Sequence, residues 1–200
     1  MRAVIIANGN IGNYPYIRSF IRDDDLIICA DGGYRHAVSM GLKIDMLIGD
    51  MDSVGVIPEG VATLTASIQK DQTDTELAVD YARSRGTDAF LLLGCTGSRL
   101  DHSLTNILAL INFTESAELI DDHNRIIHIR GSIRFNETPG TVLSLIPLTE
   151  CRGVTTYGLQ YPLDNATLRV GSGWSVSNVI VAEAGVKLDS GSLLAIMSID

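Results

Sequence analysis

The sequence predicts two parts of different class: an N-terminal Rossmann-like α/β part with a parallel sheet and flanking helices over residues 1–120, and a C-terminal β-sandwich over residues 121–200. Two observations carry that expectation. Through the first half, short apolar runs alternate with helix-like segments, the pattern of a parallel sheet covered by helices on its faces. Beyond about residue 117 the apolar runs follow one another closely, separated by Gly, Pro and Asn turns, and no convincing amphipathic helix remains.

Taken in order, the strand runs of the first part are residues 3–7, 26–30, 46–48, 61–66 and 89–93. Each is short enough for a strand and reads as buried on both faces. Helices are expected near 14–22, 33–41, 74–85 and 101–113. The third has the clearest start: Thr73 supplies a hydroxyl cap and Glu76 stands three residues on, the spacing of a capping box. The β part rests on runs at 125–130, 132–136, 142–146, 167–170, 179–182 and 193–199, and the boundary falls near 116–124. No low-complexity linker or solenoid repeat interrupts the chain.

Composition narrows the function. Apolar residues make up 46% and charged residues 20%, a globular balance. The formal charge of -9 disfavours nucleic acid and anionic membrane as partners, since both attract basic surfaces. It leaves room for an anionic substrate, because a divalent metal reverses the local field. Cys29, Cys95 and Cys151 are odd in number and far apart, which suits reduced thiols in the cytoplasm. The first apolar run is too short for a signal segment, and none approaches the roughly 20 residues of a membrane span. A soluble cytoplasmic protein is expected.

Four loops of the first half follow an apolar run with carboxylate or glycine. Ala30-Asp31-Gly32-Gly33 leads into a helix, where glycines admit a phosphate to backbone N–H groups, although such turns are common without a ligand. In Gly49-Asp50-Met51-Asp52-Ser53, alternation puts both carboxylates on one side. At roughly 5 Å and an effective dielectric of about 20 they repel by on the order of 3 kcal/mol unless a cation lies between them. A turn in water would also keep them apart. Lys70-Asp71-Gln72-Thr73-Asp74-Thr75-Glu76 concentrates carboxylates at a helix start beyond what the helix dipole needs. Gly94-Cys95-Thr96-Gly97-Ser98-Arg99-Leu100-Asp101-His102 joins a glycine loop to a forked cation, an acid and an imidazole.

In a parallel sheet these loops share the carboxyl edge, where ligands bind. Asp31, Asp50, Asp52, Asp74 and Asp101 would then surround one site suited to magnesium and nucleotide phosphates, with Arg99 and Lys70 as anion clamps. That arrangement points to phosphoryl-type transfer, and no G-x-x-x-x-G-K-[ST] motif occurs. In the β part, Trp174 is the only tryptophan. Its polar turn, Gly171-Ser172-Gly173-Trp174-Ser175-Val176-Ser177-Asn178, suits stacking on a heteroaromatic ring, against the alternative of a core tryptophan. His36, His123 and His128 carry no readable signal.

On these motifs, with Gly158-Leu159-Gln160-Tyr161-Pro162-Leu163, the chain resembles the thiamin pyrophosphokinase family through nearly its whole length. The resemblance implies a nucleotide-binding catalytic α/β domain at 1–120 and a thiamin-binding β-sandwich at 121–200. It also implies magnesium-dependent transfer of pyrophosphate from ATP to the hydroxyl of thiamin, giving thiamin diphosphate and AMP. A homodimer with thiamin sites between subunits is implied as well. Position by position, Asp50, Asp52 and Asp74 match metal and catalytic acids, and Asp101 a further catalytic acid. Asp31, Gly32, Lys70, Thr73, Arg99 and His102 fall on the ATP side, and Trp174, Ser175, Ser177 and Asn178 on the thiamin side. Two alternatives remain. Asp50-Met51-Asp52-Ser53-Val54 also fits the D-x-D-x-V signature of haloacid-dehalogenase-like phosphatases, with Asp121-Asp122 as their late acidic pair. A non-catalytic nucleotide or thiamin sensor could use the same scaffold.

Overall fold

The structure, a computed structural model, describes residues 1–50, 60–65 and 72–198, so Asp52 and Lys70 lie outside the described residues. It divides into two compact units, Met1–Asp122 and His123–Asp200.

The first unit is built on β1 (Arg2–Ile6), β2 (Leu26–Ala30), β3 (Met46–Gly49), β4 (Thr63–Thr65), β5 (Ala89–Leu93) and β6 (Ser116–Ile120). They lie in the order β6-β5-β1-β2-β3-β4, and every neighbouring pair is parallel. The α-helices beside them among the described residues are α1 (Tyr14–Arg18), α2 (Tyr34–Ser39), α3 (Asp74–Ser84) and α4 (Leu100–Ala109). Val4, Ile6, Leu47 and Leu91 pack on one face, while Ile5, Ile28, Ile48 and Leu92 are buried on the other. Burial on both faces is why β1, β2, β3 and β5 read as continuous apolar runs, whereas β4, expected to be buried likewise, is an edge strand exposed at all three residues.

The order has one consequence for the site. The chain steps outward from β1 through β4, then returns to the other side of β1 with β5 and β6. The reversal opens a crevice at the carboxyl ends of β1 and β5.

Local chemistry sets the helix ends. The Thr73 hydroxyl accepts from the Glu76 amide at 3.2 Å, and the Glu76 carboxylate accepts from the Thr73 amide at 2.7 Å. This is the expected capping box, worth about 1 kcal/mol. At the amino end of the sheet Arg2 holds Asp25 through two bonds of 2.8 and 2.6 Å. Burial pushes the Asp25 carboxyl up, but Arg2 and the Arg22 amide outweigh it and hold it below its ordinary value. Near β6, Arg83 of α3 donates to Glu115 at 2.9 and 3.1 Å and lies 5.1 Å from the Phe113 ring.

Some element bounds differ from expectation. The helix expected at 14–22 is only Tyr14–Arg18, started by Pro15 and the Asn13 cap. Strand β6 was not foreseen, because Ser116-Ala117-Glu118 is barely apolar and only Leu119 and Ile120 are buried.

The second unit is antiparallel: β7 (Asn124–Ile129), β8 (Ser132–Phe135), β9 (Val142–Pro147), β10 (Cys151–Leu159), β11 (Ala166–Leu168), β12 (Asn178–Lys187) and β13 (Leu193–Ser198). β13 lies between β7 and β9, and the long β12 pairs with β9 near its start and with β8 and β10 further on. Inward residues such as Leu143, Val154, Leu168, Ile180 and Leu193 share one core. The register of β10 against β12 shifts between Tyr157 and Leu159. Gly158 sits there at φ +68, so close to the Glu183 carbonyl that a Cβ has no room. The bulge leads the strand into Tyr161-Pro162-Leu163. No helix among the described residues is long and apolar enough to cross a membrane.

Candidate active site

The crevice at the reversal is a cleft of about 590 Å³. The loops after β1, β2 and β5 and the starts of α3 and α4 form its walls, with Asn8, Asn10, Asp31, Asp74, Ser98, Arg99, Asp101 and His102 among them. Parallel strands put these loops at one edge, and helix N-termini there favour negative charge in a ligand.

Each acid is placed by its loop. Asp31 follows β2 with a left-handed backbone, φ 49, which an aspartate tolerates better than most residues. A Cβ on Gly49 would lie 3.2 Å from the Asp31 Cα, so a glycine there lets the end of β3 approach. Asp74 is the first residue of α3, immediately after the Thr73 cap. Arg99 and Asp101 flank the start of α4, and Arg99 donates to both carboxylate oxygens, at 3.0 and 2.6 Å. Both side chains remain largely in solvent, 69% and 64% exposed. The guanidinium holds the Asp101 carboxyl well below the usual carboxylate range. An acid held so is a poor proton acceptor.

Of the residues singled out on the ATP side and as catalytic acids, Asp31, Thr73, Asp74, Arg99, Asp101 and His102 line this one cleft. Asp50 is exposed and does not line it. Gly32 is buried beneath the loop after β1, and the place of its missing side chain is taken by that of Asn8. Among the described residues no group of three or more His, Cys, Asp or Glu side chains is set to hold a metal.

Sequence reasoning missed the loop Asn8-Gly9-Asn10. It follows β1 as the other loops follow their strands, but has no carboxylate to mark it. His36 was missed too: its Nε2 lies 2.8 Å from the Gly9 carbonyl and its Nδ1 2.9 Å from the Tyr14 hydroxyl. Asp121 and Asp122 have positions of their own. Asp122 accepts from the Gly12 and Asn13 amides at 2.6 and 3.1 Å, and Asp121 accepts from the Thr96 hydroxyl at 2.9 Å. They brace the loops after β1 and β5, which gives the phosphatase reading's late acidic pair a structural task.

The second unit has its own pocket of about 240 Å³, lined by Leu145, Thr156, Tyr161, Pro162, Trp174, Ser175 and Asn178 among others. Trp174 and Tyr161 stand on its walls, each 65% exposed. Two such rings offer flat apolar faces to an aromatic ligand. Ser175 is buried and donates to the Leu145 carbonyl at 2.7 Å. Asn178 accepts from the Tyr161 amide at 3.1 Å and donates to the Tyr161 carbonyl at 2.7 Å, so its amide holds the tyrosine in place. Ser177 is exposed, has a left-handed backbone at φ 58, and does not line the pocket. Tyr161 is the residue missed here, and the signal was its place in the Gly158-to-Leu163 motif.

Residues 17–120 match the family model described as thiamin pyrophosphokinase, catalytic domain, and residues 127–193 match thiamin pyrophosphokinase, vitamin B1 binding domain. A thiamine pyrophosphokinase of Bacillus subtilis is 29% identical over 98% of both chains. Thiamine pyrophosphokinase 1 of Oryza sativa subsp. japonica is 31% identical over 95% of this chain and 84% of its own length. The crystal structure of the thiamine pyrophosphokinase from Bacillus subtilis superposes with a TM-score of 0.89, covering 100% of both chains at 28% identity.

Proposed function

The chain belongs to the thiamin pyrophosphokinase family of enzymes, and from that premise we propose that it transfers pyrophosphate from ATP to the hydroxyl of thiamin, giving thiamin diphosphate and AMP. The observation that carries this reading is the cleft at the reversal of strand order, where Asp31, Asp74, Arg99 and Asp101 meet within the residues matched by the catalytic-domain model. The first unit would hold ATP. The second, read as a β-sandwich, would hold the thiamin rings between Trp174 and Tyr161, with Ser175, Ser177 and Asn178 shaping that turn.

In the reaction the thiamin hydroxyl oxygen attacks the β-phosphorus of ATP. The bond from that phosphorus to the α–β bridging oxygen breaks, and AMP leaves. Arg99 takes up charge on the transferring group after exchanging Asp101 for phosphate oxygens, which its exposure permits. The hydroxyl proton passes to Asp74 or, once Arg99 has turned to the phosphates, to the released Asp101. Thr73, His102, Lys70, Gly32 and Asp31 support the nucleotide side. Asp50, Asp52 and Asp74 would hold magnesium. Hard oxygen donors fit that ion, and Asp31 adds another on the cleft wall. When bound, magnesium supplies charge neutralisation at the phosphates.

A homodimer with thiamin sites between subunits is part of the proposal. It is supported by α4, which turns Leu100, Leu104 and Leu108 to solvent on successive turns, 76%, 52% and 38% exposed. A cytoplasmic setting is supported by Cys29, Cys95 and Cys151, all free and buried. The reaction is tested by incubating the protein with thiamin, ATP and magnesium and identifying products by mass. Thiamin diphosphate with AMP is expected; thiamin monophosphate with ADP would overturn the transfer proposed.

A further inference from the structure

We infer that the loop Asn8-Gly9-Asn10, held in place by His36, recognises the nucleoside end of the triphosphate. The inference rests on the nucleotide reading of the cleft given above. The loop follows β1, the central strand at the reversal, and all three of its residues line the cleft. Two of its three backbone donors are already committed: the Gly9 amide donates to the Gly94 carbonyl at 2.6 Å and the Asn10 amide to the Thr96 carbonyl at 2.7 Å. What sets this loop apart for a ligand is the pair of side-chain amides of Asn8 and Asn10, both on exposed residues.

Chemistry distinguishes which end of the nucleotide such a loop suits. A phosphate asks for cations or arrays of N–H donors, as Arg99 provides elsewhere on the cleft. A neutral amide carries both donor and acceptor, the complement of a ribose hydroxyl or the edge of a base. Glycines seat both asparagines. The Asn8 side chain lies against Gly32, and Asn10 comes within 3.4 Å of where a Cβ on Gly97 would stand.

His36 fixes the third point. The Gly9 carbonyl can only accept, so Nε2 carries the proton across the 2.8 Å contact. In the neutral ring Nδ1 then accepts from the Tyr14 hydroxyl at 2.9 Å. The ring edge also lies 3.6 Å from where a Cβ on Gly94 would stand, so His36 is set between the loops after β1 and β5. It is a positioning residue: it shapes the loop without touching the nucleotide.

The test is calorimetric binding of ATP and of inorganic tripolyphosphate, each with magnesium, to the full-length wild type and to Asn10→Ala, His36→Ala and His36→Gln. ATP affinity should fall about three- to ten-fold in Asn10→Ala and His36→Ala, the loss of one neutral hydrogen bond. Tripolyphosphate affinity should stay unchanged, and His36→Gln, whose amide can reach the Gly9 carbonyl, should restore most ATP binding. Unchanged ATP affinity in both alanine variants would overturn the inference. So would equal losses of ATP and tripolyphosphate, the mark of a general collapse of the cleft. A wild type that forms thiamin diphosphate while its variants show no ATP-specific loss overturns the loop's role alone. The ATP-specific pattern in a protein that forms no thiamin diphosphate supports the loop and refutes the reaction.

Discussion

Two arginine–aspartate pairs stand at opposite ends of the first unit's parallel sheet, and their bonding is nearly the same. Arg2 and Asp25 meet at the amino end through contacts of 2.8 and 2.6 Å, Arg99 and Asp101 at the carboxyl end through 3.0 and 2.6 Å. Their surroundings differ. The side chains of the first pair are 13% and 1% exposed, those of the second 69% and 64%. A buried pair cannot lose one partner without leaving a charge out of water, so it stays closed and holds β1 to the segment before β2. An exposed pair costs little to open, and its arginine can exchange carboxylate for phosphate. Burial, more than bond length, separates a pair that holds the fold from one available for chemistry.

The largest effect should come from breaking the closed end. Asp25→Ala strands the Arg2 guanidinium, and urea unfolding should show a loss of about 3 kcal/mol, the lower end for a buried pair because Arg2 keeps some access to water. Michaelis constants for both substrates should hold in the fraction that stays folded. Similar stability in Asp25→Ala and Asp101→Ala would erase the distinction.

A smaller effect is expected in the second unit. Trp174→Ala removes an exposed ring from a pocket wall, which should raise the Michaelis constant for thiamin roughly ten-fold, in line with the value of aromatic stacking. The constant for ATP should not move. Because Trp174 is the only tryptophan, thiamin added to the wild type should also quench its fluorescence. An unquenched titration alongside normal turnover would remove thiamin from this pocket.

The smallest effect concerns acid. Arg83 brings the Glu115 carboxyl down from 4.5 to about 2. A carboxyl lowered by folding contributes stability above its unfolded value and loses it as pH falls toward the folded one. The melting temperature of the wild type should therefore decline between pH 4.5 and about 2. Arg83→Met should flatten part of that slope, and an unaltered slope would show that Glu115 contributes nothing to it.

What was legible in the sequence was local or tied to strand ends. The Thr73–Glu76 box spans three residues and forms as read. Asp31, Asp74, Arg99, Asp101 and His102 were found because carboxyl-end loops of a parallel sheet converge, whatever the strand order. Asn8 and Asn10 gained importance only from that order, which sets β1 beside β5, 87 residues along the chain in the Arg2–Ala89 pairing. No local signal encodes it. The same holds for Asn178, whose bonds to Tyr161 cross 17 residues, and for Asp122, which braces an amide 110 residues away. Glycines read as room for phosphate partly make room for protein: Gly32 admits Asn8, and the close approach of Gly9 to Gly94 joins two loops.

The measurement that bears most directly on the comparison is made on Arg99→Ala, with turnover and melting temperature taken from the same preparation. The account predicts turnover lower by about 10²–10³-fold, the cost of removing a donor aimed at developing charge. The melting temperature should stay within about 2 °C of wild type, since an exposed pair adds little to stability. A sharp fall in melting temperature with turnover per folded molecule intact would contradict it, and would make the carboxyl-end pair as structural as Arg2 and Asp25.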